Sequence, residues 1–201
     1  MTTSNSAPKK LFWTVPVIAL LAIAAAVIIN WAETSRAQMP ALGEVPRFSL
    51  TERNGKPVTK DDLTGHLTVV DFIFTTCRGI CPTMTANMSE LYQLYKSSDK
   101  VHFLSISVDP DRDSLEVLLR YANDHGVTDN RWLFARGALV DVAYLMEKGF
   151  MLSAEDLPGG HPSQFILVDN KAQIRGYYTN EDPSGLDALK TQIRELARAM
   201  P

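Results

Sequence analysis

The feature that most constrains the fold is a pair of cysteines between a strand-like run and a helix-like run. Cys77 and Cys81, the only cysteines in the chain, follow the apolar run 67–74 and precede the helical pattern 86–95. A near-continuous apolar run is typical of a parallel strand buried inside an α/β sheet. Unpaired amides and the positive end of the helix dipole lie at the junction after such a strand, and both favour a thiolate over a thiol. The pair is therefore predicted to be functional.

Composition narrows the class of protein. The chain has 201 residues, of which 45% are hydrophobic and 21% charged, as expected for one globular domain with an accessory segment. A net charge of -3 and the lack of a basic stripe in the sequence argue against nucleic-acid binding. Two cysteines are too few for a disulfide scaffold.

The N-terminal segment contains a long uncharged run. Residues 11–29 carry no charge and are bracketed by Trp13 and Trp31, as aromatic residues bracket a membrane span. The run is longer than the apolar part of a signal peptide, which is typically about 7–15 residues. We therefore predict a retained transmembrane helix rather than a cleaved signal. Lys9 and Lys10 before the run predict that the N-terminus faces the cytoplasm.

These features predict four segments. Residues 1–10 form a cytoplasmic N-terminus, and residues 11–29 form the transmembrane helix. Residues 30–46 are polar or small, contain two prolines and show no periodicity, which is typical of a linker. Residues 47–201 form the folded domain, which is long enough for a single sizeable core.

Strand-like and helix-like runs alternate along the folded domain. The pattern predicts an α/β fold with a central sheet and helices on both faces. The predicted strands are a hairpin at 48–51 and 54–58, then 67–74, 101–108, 132–135, 164–169 and 174–178. The predicted helices are 86–95, 114–123, 139–148 and 186–200.

Three interpretations of the cysteine pair remain open from the residues alone. The pair is a redox dithiol that exchanges disulfides, two thiolate ligands for a soft metal, or a structural pair without chemistry. A metal site needs a third ligand, and His161 is the candidate because it ends a glycine- and proline-containing loop directly before the strand 164–169. In a thioredoxin-like sheet that loop lies against the start of the helix that carries the cysteines. The other histidines are predicted either to face solvent or to be hydrogen-bonded within the protein: His66, His102 and His125.

Two thiolates and one imidazole make a three-coordinate soft site. Such a donor set suits Cu(I), and it also holds Cu(II) when another ligand joins. Structural zinc takes four protein ligands, and the sequence offers no evident fourth.

One stretch carries a family resemblance. Asp71 followed by a cysteine six residues later looks like thioredoxin. The longer run Asp-Phe-Ile-Phe-Thr-Thr-Cys-Arg-Gly-Ile-Cys-Pro-Thr-Met, residues 71–84, resembles the Sco/SenC family of membrane-anchored copper chaperones, whose mark is Cys-x-x-x-Cys-Pro. The runs 105–113 and 161–169 are similar to the same family. The resemblance covers about residues 45–200 and implies a thioredoxin-like fold.

The resemblance also implies a function. The copper ligands that it implies, for Cu(I) or Cu(II), are Cys77, Cys81 and His161. The implied role is delivery of copper to, or reduction of the cysteines in, the dinuclear copper site of cytochrome c oxidase. Its partners are then the copper-accepting subunit of the oxidase or another copper protein, and a thioredoxin-like reductant. The domain would face either the bacterial periplasm or cell exterior, or the intermembrane side of an inner mitochondrial membrane. The short anchor and the lack of an arginine-rich start favour the bacterial inner membrane.

The chain departs from the family pattern at the histidine. The family often has Asp-His-Ser, whereas this chain has Gly160-His161-Pro162-Ser163. The missing aspartate removes a hydrogen-bond partner that would orient the imidazole.

Two other functions compete with the chaperone. The first is a thiol–disulfide oxidoreductase or thiol peroxidase relative, in which Cys77 attacks and Cys81 resolves the mixed disulfide. The second is a redox-sensing membrane protein, which ranks last because the sequence contains no output domain.

Further residues have two interpretations each. Asp71 is either a buried carboxylate that handles protons for the dithiol or a strand residue that meets solvent or a backbone amide. Asp109, Asp111 and Asp113 form either a cation site or a turn that caps the next helix, and the turn is favoured. The methionines of the helix after the cysteines, Met84 and Met88, are predicted to be core residues rather than thioether ligands.

Overall fold

The N-terminal segment and the rest of the chain form separate units. The computed structural model describes residues 11–37 and 40–200, with side chains over 16–29 and 40–200. The units are Met1–Met39 and Pro40–Pro201, and helix α1 (Leu11–Ala37) lies in the first. The predicted run 11–29 is helical, but no helix among the described residues combines the length and apolarity that crossing a membrane requires, so its transmembrane assignment is not confirmed. The predicted N-terminus 1–10 lies outside the described residues.

The second unit is built on one mixed sheet. Its strand order is β1-β8-β7-β4-β5-β6-β2-β3, with β4, β5 and β6 parallel and the remaining pairs antiparallel. β1 lies within the stretch 30–46 that was predicted as a linker. The strands are β1 (Gly43–Glu44), β2 (Ser49–Glu52), β3 (Pro57–Thr59), β4 (Leu67–Ile73), β5 (Val101–Ser107), β6 (Trp132–Arg136), β7 (Gln164–Val168) and β8 (Gln173–Thr179).

Four helices pack on this sheet. They are α2 (Cys81–Leu94), α3 (Leu115–Asp124), α4 (Leu139–Tyr144) and α5 (Pro183–Ala199). A π-helical turn, Leu145–Gly149, continues α4, and a short 3-10 helix, Lys60–Leu63, follows β3. α2 begins five residues before the predicted start because Pro82 lies in its first turn, where proline's fixed backbone favours a helix start.

The central strand β4 supports two cores. All seven of its residues are buried, and they alternate between the two faces of the sheet. Val69 and Ile73 pack in the core with residues of α2, α3 and α5, whereas Val70 and Phe72 pack in the core with residues of α4 and its π-helical continuation. Both faces are therefore covered, which explains the near-continuous apolar sequence of β4 and confirms the predicted α/β arrangement.

The strand directions bring three loops to one edge of the sheet. β4 and β5 are parallel, so the loops that follow them begin at the same edge. β7 is antiparallel to β4, with Val70 opposite Ile166, so the loop that precedes β7 reaches this edge as well. The cysteine loop 74–80, the turn 109–113 and the loop that ends at His161 therefore meet there.

Candidate metal centre

The two cysteines occupy different surroundings although four positions separate them. Cys77 closes a turn in which its amide donates to the carbonyl of Phe74 at 3.2 Å, and its side chain is half-buried. Cys81 is the first residue of α2 and is 1% exposed. Both are free thiols in this structure, so the disulfide that the sequence allows is not seen.

His161 lies beside the cysteines, as its position before β7 predicted. Its Nε2 is 3.0 Å from Sγ of Cys81, and the ring is buried at 7% exposure. The two sulfurs and an imidazole nitrogen all lie within 4.8 Å of one another. Within the described part of the chain this is the only group of three or more cysteine, histidine or acidic residues with such spacing. The structure thus brings together the three residues predicted from sequence.

Two contacts orient the imidazole. Nδ1 lies 3.3 Å from the carbonyl oxygen of Pro162, which only accepts hydrogen bonds, so Nδ1 carries the proton and Nε2 presents its lone pair towards Cys81. The ring of Phe74 meets the imidazole edge-on at 5.5 Å between centroids. The carbonyl of Pro162 thus takes the orienting role that the missing aspartate would have had.

Burial keeps this histidine neutral. Desolvation lowers the pKa of His161, and the carbonyls of Pro162 and Phe72 offset only part of that effect. A neutral imidazole is the form that binds a metal.

The pKa values of the two thiols are displaced in opposite directions. Burial opposes ionisation of Cys77, but hydrogen bonds from the Cys81 thiol and from the amides of Cys81, Gly79 and Ile80 outweigh it and lower the pKa. Gly79 N donates to the Cys77 sulfur at 3.4 Å. Burial raises the pKa of Cys81, and the neighbouring Cys77 sulfur raises it further. Cys77 is therefore the more readily ionised thiol of the pair.

The donor set fits a soft metal ion. Two sulfurs and one neutral imidazole match the preference of Cu(I), and binding would release the proton of Cys81. A structural zinc site takes a fourth protein ligand, which the described residues do not bring within the same spacing.

Asp71 is buried beneath the site rather than in contact with solvent. Its Oδ1 accepts a hydrogen bond of 2.6 Å from Ser105, whose hydroxyl in turn accepts from the indole of Trp132 at 2.9 Å. Its Oδ2 has no hydrogen-bond partner among the described residues. Burial raises the pKa of Asp71 to about 7, and the Ser105 hydroxyl limits the rise. Of the second interpretation of Asp71, the contact with solvent is therefore wrong, whereas a backbone amide does act on the carboxyl and lowers its pKa slightly.

Asp71→Asn should remove a pH dependence of stability. The folded-state pKa of about 7 exceeds the ordinary value of 3.8, so the stability associated with the neutral carboxyl is complete below pH 3.8 and is lost as the pH rises to 7. At about 1.4 kcal/mol per pKa unit, the wild-type chain should lose about 4 kcal/mol across this window relative to the variant. Urea unfolding of both chains at pH 4, 5.5 and 7 measures the difference. Asp124→Asn, at an exposed position, is the control, and a wild-type-to-variant difference that is constant with pH would contradict the prediction.

The three aspartates of the 109–113 turn do not converge on one point. Asp109 pairs with Arg112 at 2.8 Å, Asp111 is exposed, and Asp113 is buried with hydrogen bonds to Thr75 and Ser107. Turn hydrogen bonds from Arg112 N and Asp113 N to Asp109 O support the turn interpretation. The cap of α3 is Ser114, which accepts from Val117 N, rather than an aspartate.

The remaining candidates lie outside the cluster. Met84 and Met88 are fully buried in the core beneath α2, as predicted. His66 and His102 stack on each other at 3.7 Å between centroids, and His125 Nδ1 lies 2.8 Å from the carbonyl of Tyr121.

Sequence reasoning missed two residues of the site, Phe74 and Thr75. Phe74 touches the imidazole, and Thr75 binds Asp113. Their only sequence signal is their position directly before the first cysteine, and an aromatic residue at a strand end fits core packing equally well.

Comparison with known families identifies relatives of the whole folded unit. A sequence model described as SCO1/SenC matches residues 36–198. A SCO1/SenC family lipoprotein from Bacillus anthracis has a similar structure, with a TM-score of 0.71, 29% identity, and coverage of 79% of this chain and 98% of that chain.

Two further solved structures are similar. BsSco, described as a member of the Sco family of cytochrome c oxidase assembly proteins with a disulfide switch, has a TM-score of 0.69 and 28% identity, with coverage of 79% of this chain and 96% of that chain. Copper-bound ScoI from Bradyrhizobium japonicum has a TM-score of 0.61 and 26% identity, with coverage of 76% and 99%.

Proposed function

Because the chain belongs to the SCO1/SenC family, we propose that it is a copper chaperone that holds copper with Cys77, Cys81 and His161. Membership confirms the predicted family and its thioredoxin-like fold. The observation that supports the copper function is the convergence of two sulfurs and a neutral imidazole within 4.8 Å. Copper in the related ScoI supports the choice of metal.

The proposed acceptor is the copper-binding subunit of cytochrome c oxidase, because a related structure is described as an oxidase assembly protein. Copper passes to it as cargo by ligand exchange, in which a thiolate of the acceptor replaces one ligand at a time. Cys77 is the ligand that an incoming group reaches first, since it is half-exposed while Cys81 and His161 are buried.

An anaerobic Cu(I) titration of the reduced full chain in mild detergent, against a competing chelator, tests the proposal. We expect tight binding of one Cu(I) per chain, because the ligands are already gathered before the metal arrives. The double variant Cys77→Ser, Cys81→Ser is the matched control. Wild-type binding no tighter than that of the control would overturn the copper function.

A second candidate function is reduction of a partner's disulfide, which the asymmetry of the two thiols favours. The Cys77 thiolate attacks one sulfur of the partner's disulfide, and the other partner sulfur leaves as a thiolate that takes up a proton. Cys81 then loses its proton and attacks Cys77 in the mixed disulfide. The products are a Cys77–Cys81 disulfide and two partner thiols. This function predicts that His161→Ala keeps most of the disulfide exchange with a model disulfide.

We further propose that the segment around residues 11–29 attaches the protein to the inner membrane of a bacterium, with the folded unit on the periplasmic or outer side. The run contains no charged residue, and the B. anthracis relative is described as a lipoprotein. Extraction of isolated membranes with alkaline carbonate tests attachment. Recovery of the chain in the supernatant would contradict it.

A further inference from the structure

Asp113 links the cysteine loop to the neighbouring strand. This buried carboxylate accepts the hydroxyl of Thr75 at 2.5 Å and, with both oxygens, the amide of Thr75 at 3.2 and 3.3 Å. Its Oδ2 also accepts the hydroxyl of Ser107, the last residue of β5, at 2.6 Å. Asp113 is 0% exposed, its bond to Ser107 is buried and its bonds to Thr75 are part-buried, so the carboxylate depends on these donors rather than on water.

The carboxylate is itself held in place. The amide of Asp113 donates to the carbonyl of Asp109 at 2.9 Å, which closes the turn between β5 and α3. Ser107 Oγ accepts from the amide of Asp109 at 3.2 Å, which directs its hydroxyl proton to Asp113. A buried carboxylate with several donors and a fixed backbone is a rigid anchor for the group it binds.

Through Thr75, Asp113 binds the turn that holds both the Cys77 sulfur and the Phe74 ring of the metal centre. Thr75 is a central residue of the turn from Phe74 to Cys77, which the Cys77 amide closes at 3.2 Å. Before Thr75, the ring of Phe74 rests edge-on against His161. After Thr75, the turn ends at Cys77 and so sets the position of its sulfur. A shift of Thr75 therefore moves a sulfur ligand and the ring that packs on the imidazole.

We infer that Asp113 is a positioning residue of the metal centre, acting through Thr75 to fix both the Cys77 sulfur and the Phe74 ring on His161. The inference rests on the proposed copper function, because it concerns the same site. Residues that orient metal ligands through a hydrogen bond commonly change metal affinity about 10- to 100-fold when they are altered.

The matched variants each remove one of the two hydroxyl groups that donate hydrogen bonds to Asp113, that of Thr75 or that of Ser107. Thr75→Val removes the hydroxyl donor on the metal side and keeps the side-chain shape, and Thr75→Ser restores the hydroxyl. Ser107→Ala removes the donor on the β5 side. In the Cu(I) competition titration of the full chain, we expect about tenfold weaker binding for Thr75→Val. Thr75→Ser should stay within about twofold of wild type. Ser107→Ala loosens Asp113 without touching the cysteine loop, so it should weaken Cu(I) binding less than Thr75→Val does, even where it lowers the melting temperature.

Hydrogen–deuterium exchange of the copper-free chain supplies a readout that does not depend on copper. Amides of the cysteine loop 74–80 should exchange faster in Thr75→Val than in Ser107→Ala, which should instead affect the end of β5. If wild type binds Cu(I) tightly and Thr75→Val binds equally well, the inference is overturned while the copper function stands. If wild type binds copper weakly, the copper function fails, and unchanged loop exchange in Thr75→Val would overturn the positioning role as well.

Discussion

His161→Ala should weaken Cu(I) binding by more than about a hundredfold. Altering a group that only orients a ligand costs about 10- to 100-fold, so loss of the ligand itself should cost more. The loss is large because the imidazole is buried, neutral and already aimed at the Cys81 sulfur at 3.0 Å. Without the imidazole, only the two sulfurs remain as ligands for Cu(I). The space of the lost ring beside Phe74 is apolar and offers no replacement ligand. The measurement is the anaerobic chelator competition, followed on the full chain.

The control for this variant is His125→Ala, which removes a histidine that hydrogen-bonds within its own helix end at 2.8 Å. It should bind Cu(I) like wild type. The same His161→Ala protein should retain most of its exchange with a model disulfide, since both sulfurs remain. Equal affinity of His161→Ala and wild type would remove His161 from the ligand set. Loss of disulfide exchange together with copper would indicate that the substitution disturbs the cysteine loop as a whole.

Cys77 should react with iodoacetamide at pH 7 about a hundredfold faster than Cys81 in the reduced, copper-free chain. Alkylation requires the thiolate, and the pKa of Cys77 is lowered whereas burial and the neighbouring sulfur raise that of Cys81 to about 12. The higher intrinsic nucleophilicity of the more basic sulfur offsets part of this difference. Burial of Cys81 at 1% exposure adds a steric barrier in the same direction.

The single variants Cys77→Ser and Cys81→Ser isolate the two rates, which mass spectrometry of the alkylated peptides then reports. In 6 M guanidinium chloride the two rates should converge, because the folded surroundings create the difference. Addition of one equivalent of Cu(I) to the wild-type chain should protect both sulfurs. Similar rates for both cysteines in the folded chain would contradict the proposed division into an accessible and a buried sulfur, and with it the entry of the partner at Cys77.

Much of the fold could be predicted because its signals are local. The apolar run 67–74 contains a strand that is buried on both faces, and the pattern before it contains the β2–β3 hairpin, in which Gly55 adopts a φ of +79°. The start of α2 was placed too late because hydrophobic periodicity becomes clear only after the first turn, whereas Pro82 marks the actual start.

The site was predictable only as far as residue type and loop position allow. A cysteine pair after a buried strand and a histidine before another strand are visible in sequence, and the strand order brings them to one edge. The orientation of His161 by the carbonyl of Pro162 is not visible, because a backbone acceptor leaves no mark on residue identity. The role of Asp113 was hidden for a different reason, since an aspartate in a turn fits several partners equally well.

The sequence by itself therefore indicated most of the elements, the family and the three residues of the candidate centre, because each depends on local pattern and residue chemistry. Tertiary structure alone decided which sulfur is accessible, why Asp71 has a raised pKa, and how Asp113 is tied to the cysteine loop 38 residues away. Burial and hydrogen bonding depend on what packs around a group, and for Asp71, Cys81 and Asp113 those neighbours come from distant segments of the chain.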